Sequence, residues 1–350
     1  MQGLQKHSSG LVAAQRLSKH FDEVVCLERD PLGGDRDAKT LPTKRPGVPQ
    51  FKHAHGLLGR GGSILDDSFG PDYRSELLAA GGRLVDWHSD LVIHALPGTT
   101  FMRDAPGSAP PPGRPPMYMY SATRGLIEGT ARKLLERNPK VTVRYGARAD
   151  GLAFSADKDD GGRPAAVEGV TLAGGGGVVG ADLVVDCSGR NSRVADWLGA
   201  AGWEAPPVSV VDAGVGYVSR HVRLTLEAQR RLEGIELIAG LPLYPNPQFA
   251  LMQRMEGGEF MVAMAGFAQD EAAGSPPMVD DVAAINAWGQ GVWWPEFNEL
   301  LCGATALGPP SRFFNLNNVH RRYDAVALPE GLALLGDTVC SFNPVYGQER

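Results

Sequence analysis

The sequence predicts an α/β chain with α+β elements, in which a parallel sheet is interleaved with an antiparallel one. Three observations carry this. Short apolar runs at residues 24–28, 183–186 and 332–335 each end at or just before an acidic residue, Glu28, Asp186 or Asp337. Such runs read as strands buried on both faces, as in a parallel sheet. Helical periodicity lies beside them: Leu11, Ala14 and Leu17 fall on one face of residues 9–18, and residues 120–135 form a second amphipathic stretch with Ser121 or Thr123 placed to cap it. Finally, residues 208–224, 247–253 and 259–267 are rich in β-branched, aromatic and methionine residues, the signature of antiparallel strands with one face over an apolar space. Taken alone, such residues are more often plain core than a binding wall.

The last stretch is the most informative. An apolar strand runs into Gly336 and Asp337, with Pro344, Gly347 and Gln348 close behind. A glycine lets the backbone approach a ligand because no Cβ intervenes, and carboxyl edges of open α/β sheets are where nucleotide cofactors sit. A second strand feeds Asp186 and then Ser188, Gly189 and Arg190, with Ser192 and Arg193 following. Arginine offers a planar cation suited to pyrophosphate, and a glycine turn offers free backbone N–H groups. Near the N-terminus, Gly10 lies eighteen residues before Glu28. That is about the interval between the third glycine of a dinucleotide fingerprint and the acid that takes the ribose hydroxyls. Counting back, the first two glycine positions fall on Gln5 and His7, and residues 1–6 are too short and polar to read as the preceding strand. The expectation is a nucleotide fold lacking its first strand and phosphate loop, truncated at both ends and binding its cofactor poorly.

Together these motifs resemble the p-hydroxybenzoate hydroxylase-like FAD monooxygenases. The terminal stretch resembles their Gly-Asp-Ala-x-His-x-x-x-Pro-x-x-Gly-Gln-Gly pattern, with Cys340 in place of the histidine and Glu349 in place of the last glycine. The Ser188-Gly189-Arg190 turn is similar to the variant found in a subset that includes the bacterial polyether epoxidases, as is the segment from Arg45 through Pro49 and Gln50 to His53 and His55. The helix carrying Arg124, Glu128 and Arg132 resembles the family's Arg-x-x-Leu-Glu-x-x-x-Arg helix, whose first arginine lies by the flavin. His53 and His55 share a strand face, but no third ligand follows at zinc spacing, so no metal is expected and the segment reads as the approach to a helix.

The resemblance implies a Rossmann-like FAD-binding parallel sheet interleaved with an antiparallel substrate-domain sheet. Residues 1–65, 121–200 and 326–350 would form the FAD-binding parts, and 66–120 and 201–325 the substrate domain. FAD would be held by Gly10, Glu28, Arg29, Arg45, Arg124, Asp186, Gly189, Arg190, Gly336, Asp337, Pro344 and Gly347. No catalytic side chain is singled out. The implied reaction is oxygen transfer from a flavin hydroperoxide to an apolar alkene or aromatic substrate, by epoxidation or hydroxylation. NAD(P)H or a reduced-flavin system would be the electron donor, O2 the co-substrate and a flavin reductase a possible partner. The alternatives are a reductase of the geranylgeranyl reductase type and a non-catalytic truncated remnant. A flavin halogenase is disfavoured because residues 291–295, Gly-Val-Trp-Trp-Pro, do not match the halogenase Trp-x-Trp-x-Ile-Pro signature.

Composition sets looser bounds. The 350 residues suffice for one or two domains, and 43% hydrophobic with 21% charged residues exclude wholesale disorder. A net charge of −6 without a basic stripe argues against nucleic acid as a partner. No eighteen-residue apolar run or signal peptide is present, and Cys26, Cys187, Cys302 and Cys340 are scattered, as for reduced thiols in a cytoplasmic protein. There is no Gly-x-Ser-x-Gly elbow, P-loop, His-Glu-x-x-His or Cys-x-x-Cys, and flavin chemistry needs none of them.

Overall fold

The structure, a computed structural model, describes residues 2–5, 8–31, 48–96, 99–101, 117–212, 214–241, 248–267, 282–292, 294, 296–313 and 317–343. The chain opens with β1 (Gln2–Gln5), α1 (Ser8–Leu17) and β2 (Val24–Glu28). Next come β3 (Gly56–Leu57), α2 (Gly59–Phe69), α3 (Pro71–Ala79) and β4 (Arg83–Asp86). Strands β5 (Leu91–Leu96), β6 (Thr99–Phe101) and β7 (Tyr118–Ser121) lead to α4 (Arg124–Glu136). After α4 the chain forms β8 (Val141–Tyr145), a meander of β9 (Ala149–Phe154), β10 (Val167–Leu172) and β11 (Val178–Gly180), then β12 (Val184–Cys187) and α5 (Val194–Ala200). The second half comprises β13 (Val208–Val211), β14 (Val215–Arg223), α6 (Leu226–Arg231), β15 (Leu237–Gly240), β16 (Phe249–Arg254) and β17 (Phe260–Phe267). It continues with α7 (Val282–Gly289), α8 (Phe297–Leu301), β18 (Thr305–Ala306) and β19 (Ser311–Phe313), and closes with β20 (Asn318–Arg321), β21 (Leu332–Leu334) and β22 (Cys340–Ser341).

Five strands form a parallel sheet in the order β21-β12-β1-β2-β8. The three apolar runs read from the sequence are β2, β12 and β21. The expectation that the first strand is missing is corrected: Gln2–Gln5 forms it, at the centre of the sheet. Gln2 to Gln5 pair in register with Val25 to Glu28 on one edge and with Val184 to Cys187 on the other. A four-residue strand with partners on both edges pairs its backbone groups whatever its side chains, so an apolar run was not required. Residues 6 and 7, where the phosphate loop would turn, lie outside the described residues.

Helices α1 to α4 cover one face of this sheet around Leu11, Tyr73, Leu77, Tyr120, Leu126 and Leu135. On the other face Val25, Leu27 and Val184 meet Leu152, Val170, Leu198 and Trp203 from the meander and α5. The second large sheet has eight strands, seven in the order β18-β14-β17-β16-β15-β5-β6, with β19 also pairing with β14. Period-two alternation turns Val218, Val222, Val262 and Met264 toward Trp288, Trp294 and Phe297. Tyr217, Ser219, Ala263 and Ala265 fall on the opposite face.

One expectation about this sheet is also corrected. Residues 208–224 do not form one strand, because β13 leaves to pair with β20 in a separate three-stranded sheet, β13-β20-β22. The break is built locally: Asp212 Oδ1 accepts the Gly214 N–H at 2.8 Å, and Gly214 has φ +59°. That is an Asx turn closed by a residue free to enter the left-handed region.

Candidate active site

Parallel register brings the predicted acids to one edge. Gln5 pairs with both Glu28 and Cys187, and Asp186 pairs with Leu334, so β1, β2, β12 and β21 end together. Asp186 is fully buried and shapes its own turn. Its Oδ1 accepts the Ser188 N–H at 2.6 Å, and its other oxygen accepts the Ser192 hydroxyl. The turn passes through Gly189 at φ +82°, whose N–H donates to Thr338 Oγ1 at 3.0 Å. Thr338 closes the 3-10 turn that begins at Gly336, φ +64°, and contains Asp337. The two glycine turns, about 150 residues apart in sequence, are thus in direct contact. Arg190 donates to the Phe342 carbonyl at 3.4 Å. Burial lowers its pKa, Asp337 pulls the other way, and Arg321 lowers it further.

A row of buried charges lies behind this edge. Arg124, Glu128 and Arg132 repeat at four-residue intervals along α4 and share one face. Arg124 Nε lies 3.6 Å from Glu128 Oε2, and Arg132 donates to Glu128 Oε1. Arg132 also stands 3.6 Å from Glu28 Oε2, with its guanidinium over the Tyr145 ring at 5.6 Å. Burial alone would lower the Arg132 pKa, but Glu128, Tyr145 and Glu28 hold it above its ordinary value. Glu28, 1% exposed, also accepts the Asp30 N–H at 3.0 Å. The N-terminus of α4 is capped by Thr123, which accepts the Leu126 N–H at 3.2 Å. Thr123 is itself held by Glu256 of the β16–β17 hairpin, whose Oε2 accepts the Thr123 N–H at 2.9 Å.

On the face of the antiparallel sheet opposite its tryptophan-rich core, Ser219, Ala263 and Ala265 are also buried. His53 is 2% exposed, shares a 2.9 Å hydrogen bond between Nδ1 and Ser219 Oγ, and packs edge-on against Tyr217 and near Phe313. Burial, then His55 and Lys52, push its pKa down to about 3, so its ring is neutral at physiological pH. His55 does not join it as a ligand pair: its Nδ1 turns to the His53 carbonyl at 2.9 Å. Among the described residues no group of three or more His, Cys, Asp or Glu side chains is placed to hold a metal.

Of the residues singled out in the sequence, Glu28, Asp186, Gly189, Arg190, Gly336 and Asp337 meet at the carboxyl edge. Gly10 is buried in the first turn of α1, and Arg124 opens α4. Arg29 is half-exposed beside Asp30, 3.9 Å from its Oδ1. Arg45, Pro344 and Gly347 lie outside the described residues, as do Trp293 and Pro295 of the segment set against the halogenase signature. Sequence reading missed Thr338 and Arg321, for which no spacing gives a signal, and the roles of Glu128 and Arg132, for which the i,i+4 spacing was the signal. The donor set suits a flavin dinucleotide: a carboxylate at the end of β2 for ribose hydroxyls, the start of α1 at the end of β1 for phosphate, Arg190 for charge and Asp337 for a polyol. Two cavities, about 400 and 620 Å³, lie away from this edge; the first opens at the opposite, amino end beside Asp182 and Gly331.

No protein-family model matches the chain. Protein Rv3254 of Mycobacterium tuberculosis is 28% identical over 356 residues, spanning 97% of this chain and 67% of its own length. Among solved structures, the flavin-dependent brominase Bmp2 is similar with a TM-score of 0.67 at 14% identity, over 98% of this chain and 73% of its own. PqsL, a probable FAD-dependent monooxygenase from Pseudomonas aeruginosa, is similar with a TM-score of 0.64 at 13% identity, over 99% of this chain and 80% of its own. The fold is therefore the one these flavin-dependent proteins share.

Proposed function

We propose that the chain is an FAD-dependent oxidoreductase, a monooxygenase that transfers oxygen to an apolar alkene or aromatic substrate. The observation that carries this is the contact between the Gly189 and Gly336 turns, which sets Asp337 and Arg190 together at the carboxyl edge beside β1 and α1. Bound and reduced, FAD would supply the electrons that activate O2. Asp337 would accept a hydrogen bond from a ribityl hydroxyl, Arg190 and the start of α1 would meet the pyrophosphate, and Glu28, steadied by Arg132, would take the adenosine ribose. Arg124 would stand toward the isoalloxazine end of the cofactor.

The face carrying Tyr217, Ser219, Ala263 and Ala265 would form the substrate wall, with neutral His53 as a polar anchor that adds no charge. An apolar substrate suits a wall of this composition. NAD(P)H, or reduced flavin from a separate reductase, would be the donor. No helix among the described residues is long and apolar enough to cross a membrane. The free cysteines Cys26, Cys187, Cys302 and Cys340 suit a reducing, cytoplasmic compartment.

Fluorescence titration of the purified chain with FAD tests the core of this reading. A saturable quench that Asp337→Ala weakens by roughly tens of fold is expected, since a hydrogen bond to a charged group contributes about 1.5–3 kcal/mol. Equal affinity in both proteins would reject the role of Asp337. No binding by the wild type, where Gln5 and His7 stand at glycine positions, would favour a non-catalytic remnant. NAD(P)H-dependent O2 uptake then separates a monooxygenase from an oxygen-inert reductase.

A further inference from the structure

Arg321, the last residue of β20, belongs to neither glycine motif, yet its guanidinium reaches both. Nη2 donates to the Arg190 carbonyl at 2.8 Å, and Nη1 donates to the carbonyls of Thr338 at 3.2 Å and Asp337 at 3.4 Å. Its backbone N–H donates to the Val339 carbonyl at 2.8 Å, and β20 pairs with β22 immediately beyond the Asp337 turn. One side chain thus holds three carbonyls drawn from two loops that are about 150 residues apart in sequence. The planar, multi-donor arginine fork suits this task, whereas a lysine ammonium offers a single point of attachment.

We infer that Arg321 is a positioning residue that fixes the Arg190 and Asp337 turns relative to one another, and so sets the middle of the cofactor site without touching the cofactor. The inference rests on the flavin reading above and adds to it a residue from outside both motifs. The two turns are linked besides by the Gly189–Thr338 hydrogen bond, the Leu335 N–H to the Asp186 carbonyl, Arg190 to the Phe342 carbonyl, and the strand pairing. With its carbonyls held, Asp337 keeps a fixed direction toward the ligand. Pre-ordering of this kind raises affinity by reducing the ordering cost of binding.

The test compares wild type, Arg321→Ala and Arg321→Lys for binding of FAD, by fluorescence quenching, and of AMP, by ligand-observed NMR. AMP carries only the adenosine ribose assigned to Glu28 and a single phosphate. Arg321→Ala should weaken FAD by at least about tenfold, the loss of one charge-assisted hydrogen bond. AMP should stay within about twofold, and the visible spectrum of any residual FAD complex should shift. Arg321→Lys keeps the charge and guards against misfolding; it should regain wild-type thermal stability but only part of the FAD affinity. Unchanged FAD affinity in Arg321→Ala, or equal losses for FAD and AMP, would overturn the inference while leaving the flavin reading standing. A wild type that binds AMP but not FAD would overturn both.

Discussion

Removing Glu128 perturbs the most heavily charged part of the interior. Its side chain is 5% exposed and lies between those of Arg124, 4% exposed, and Arg132, 7% exposed. In Glu128→Ala both guanidiniums stay buried without the carboxylate between them, and Arg132 keeps Glu28 at 3.6 Å together with Tyr145. Breaking a buried pair by deleting one partner costs about 3–5 kcal/mol, because the remaining charge has lost its water without compensation. Two arginines share the loss here, so the upper half of that range is expected. Glu128→Gln keeps an acceptor for Arg132 and should cost about half as much. Urea unfolding followed by circular dichroism reads the difference, and the double variant Glu128→Ala with Arg132→Ala should fall short of the sum of the single losses by about 1–3 kcal/mol. A Glu128→Ala protein within about 1 kcal/mol of wild type, or strict additivity in the double variant, would show that this row of charges does not act as a unit.

Three further outcomes are expected. His53 has a folded-state pKa near 3 against 6.5 unfolded, so below pH 6.5 the unfolded chain binds the extra proton and stability falls as pH drops toward 3, by up to about 1.4 kcal/mol per pH unit. The stability gap between wild type and His53→Asn should therefore narrow between pH 7 and 4.5; a constant gap in urea midpoints would contradict a buried neutral ring. Iodoacetamide should label Cys302 in the native protein and spare Cys26, whose thiol is buried and pushed up to about 12 by that burial; mass spectrometry showing comparable labelling at both would refute this. Gly331→Ala should destabilise by about 2 kcal/mol or more, since the residue has φ +72° and its new Cβ would meet the Val167 carbonyl oxygen. An unchanged melting temperature would sink that estimate.

Much of this was legible in the sequence because it depended on contiguous patterns. The apolar runs of β2, β12 and β21 gave the parallel sheet, and the acids at their ends gave the edge where the candidate site lies. Strand β1 was illegible because its place is set by backbone pairing on both edges and not by an apolar run. The split of residues 208–224 hung on one Asx turn at Asp212, whose strength a β-branched run conceals. Arg321 and Thr338 were beyond reach for a different reason: donating to carbonyls, or accepting an N–H, across 130–150 residues leaves no periodicity to detect. The row Arg124, Glu128 and Arg132 was visible as spacing, but only burial reveals that it faces inward.

The polar links between the eight-stranded sheet and the layer made by the 53–55 segment, β7 and the start of α4 bear on how freely the two can move apart. His53 meets Ser219, Gln253 donates to both the His55 carbonyl and Ser121, Ser121 donates to the Arg254 carbonyl, and Glu256 holds Thr123. These contacts run along one seam and involve backbone atoms on both sides. A hinge opening along this seam would have to break them together, exposing the buried His53, Ser121, Ser219 and Gln253 at once. The seam therefore behaves as a weld rather than a joint.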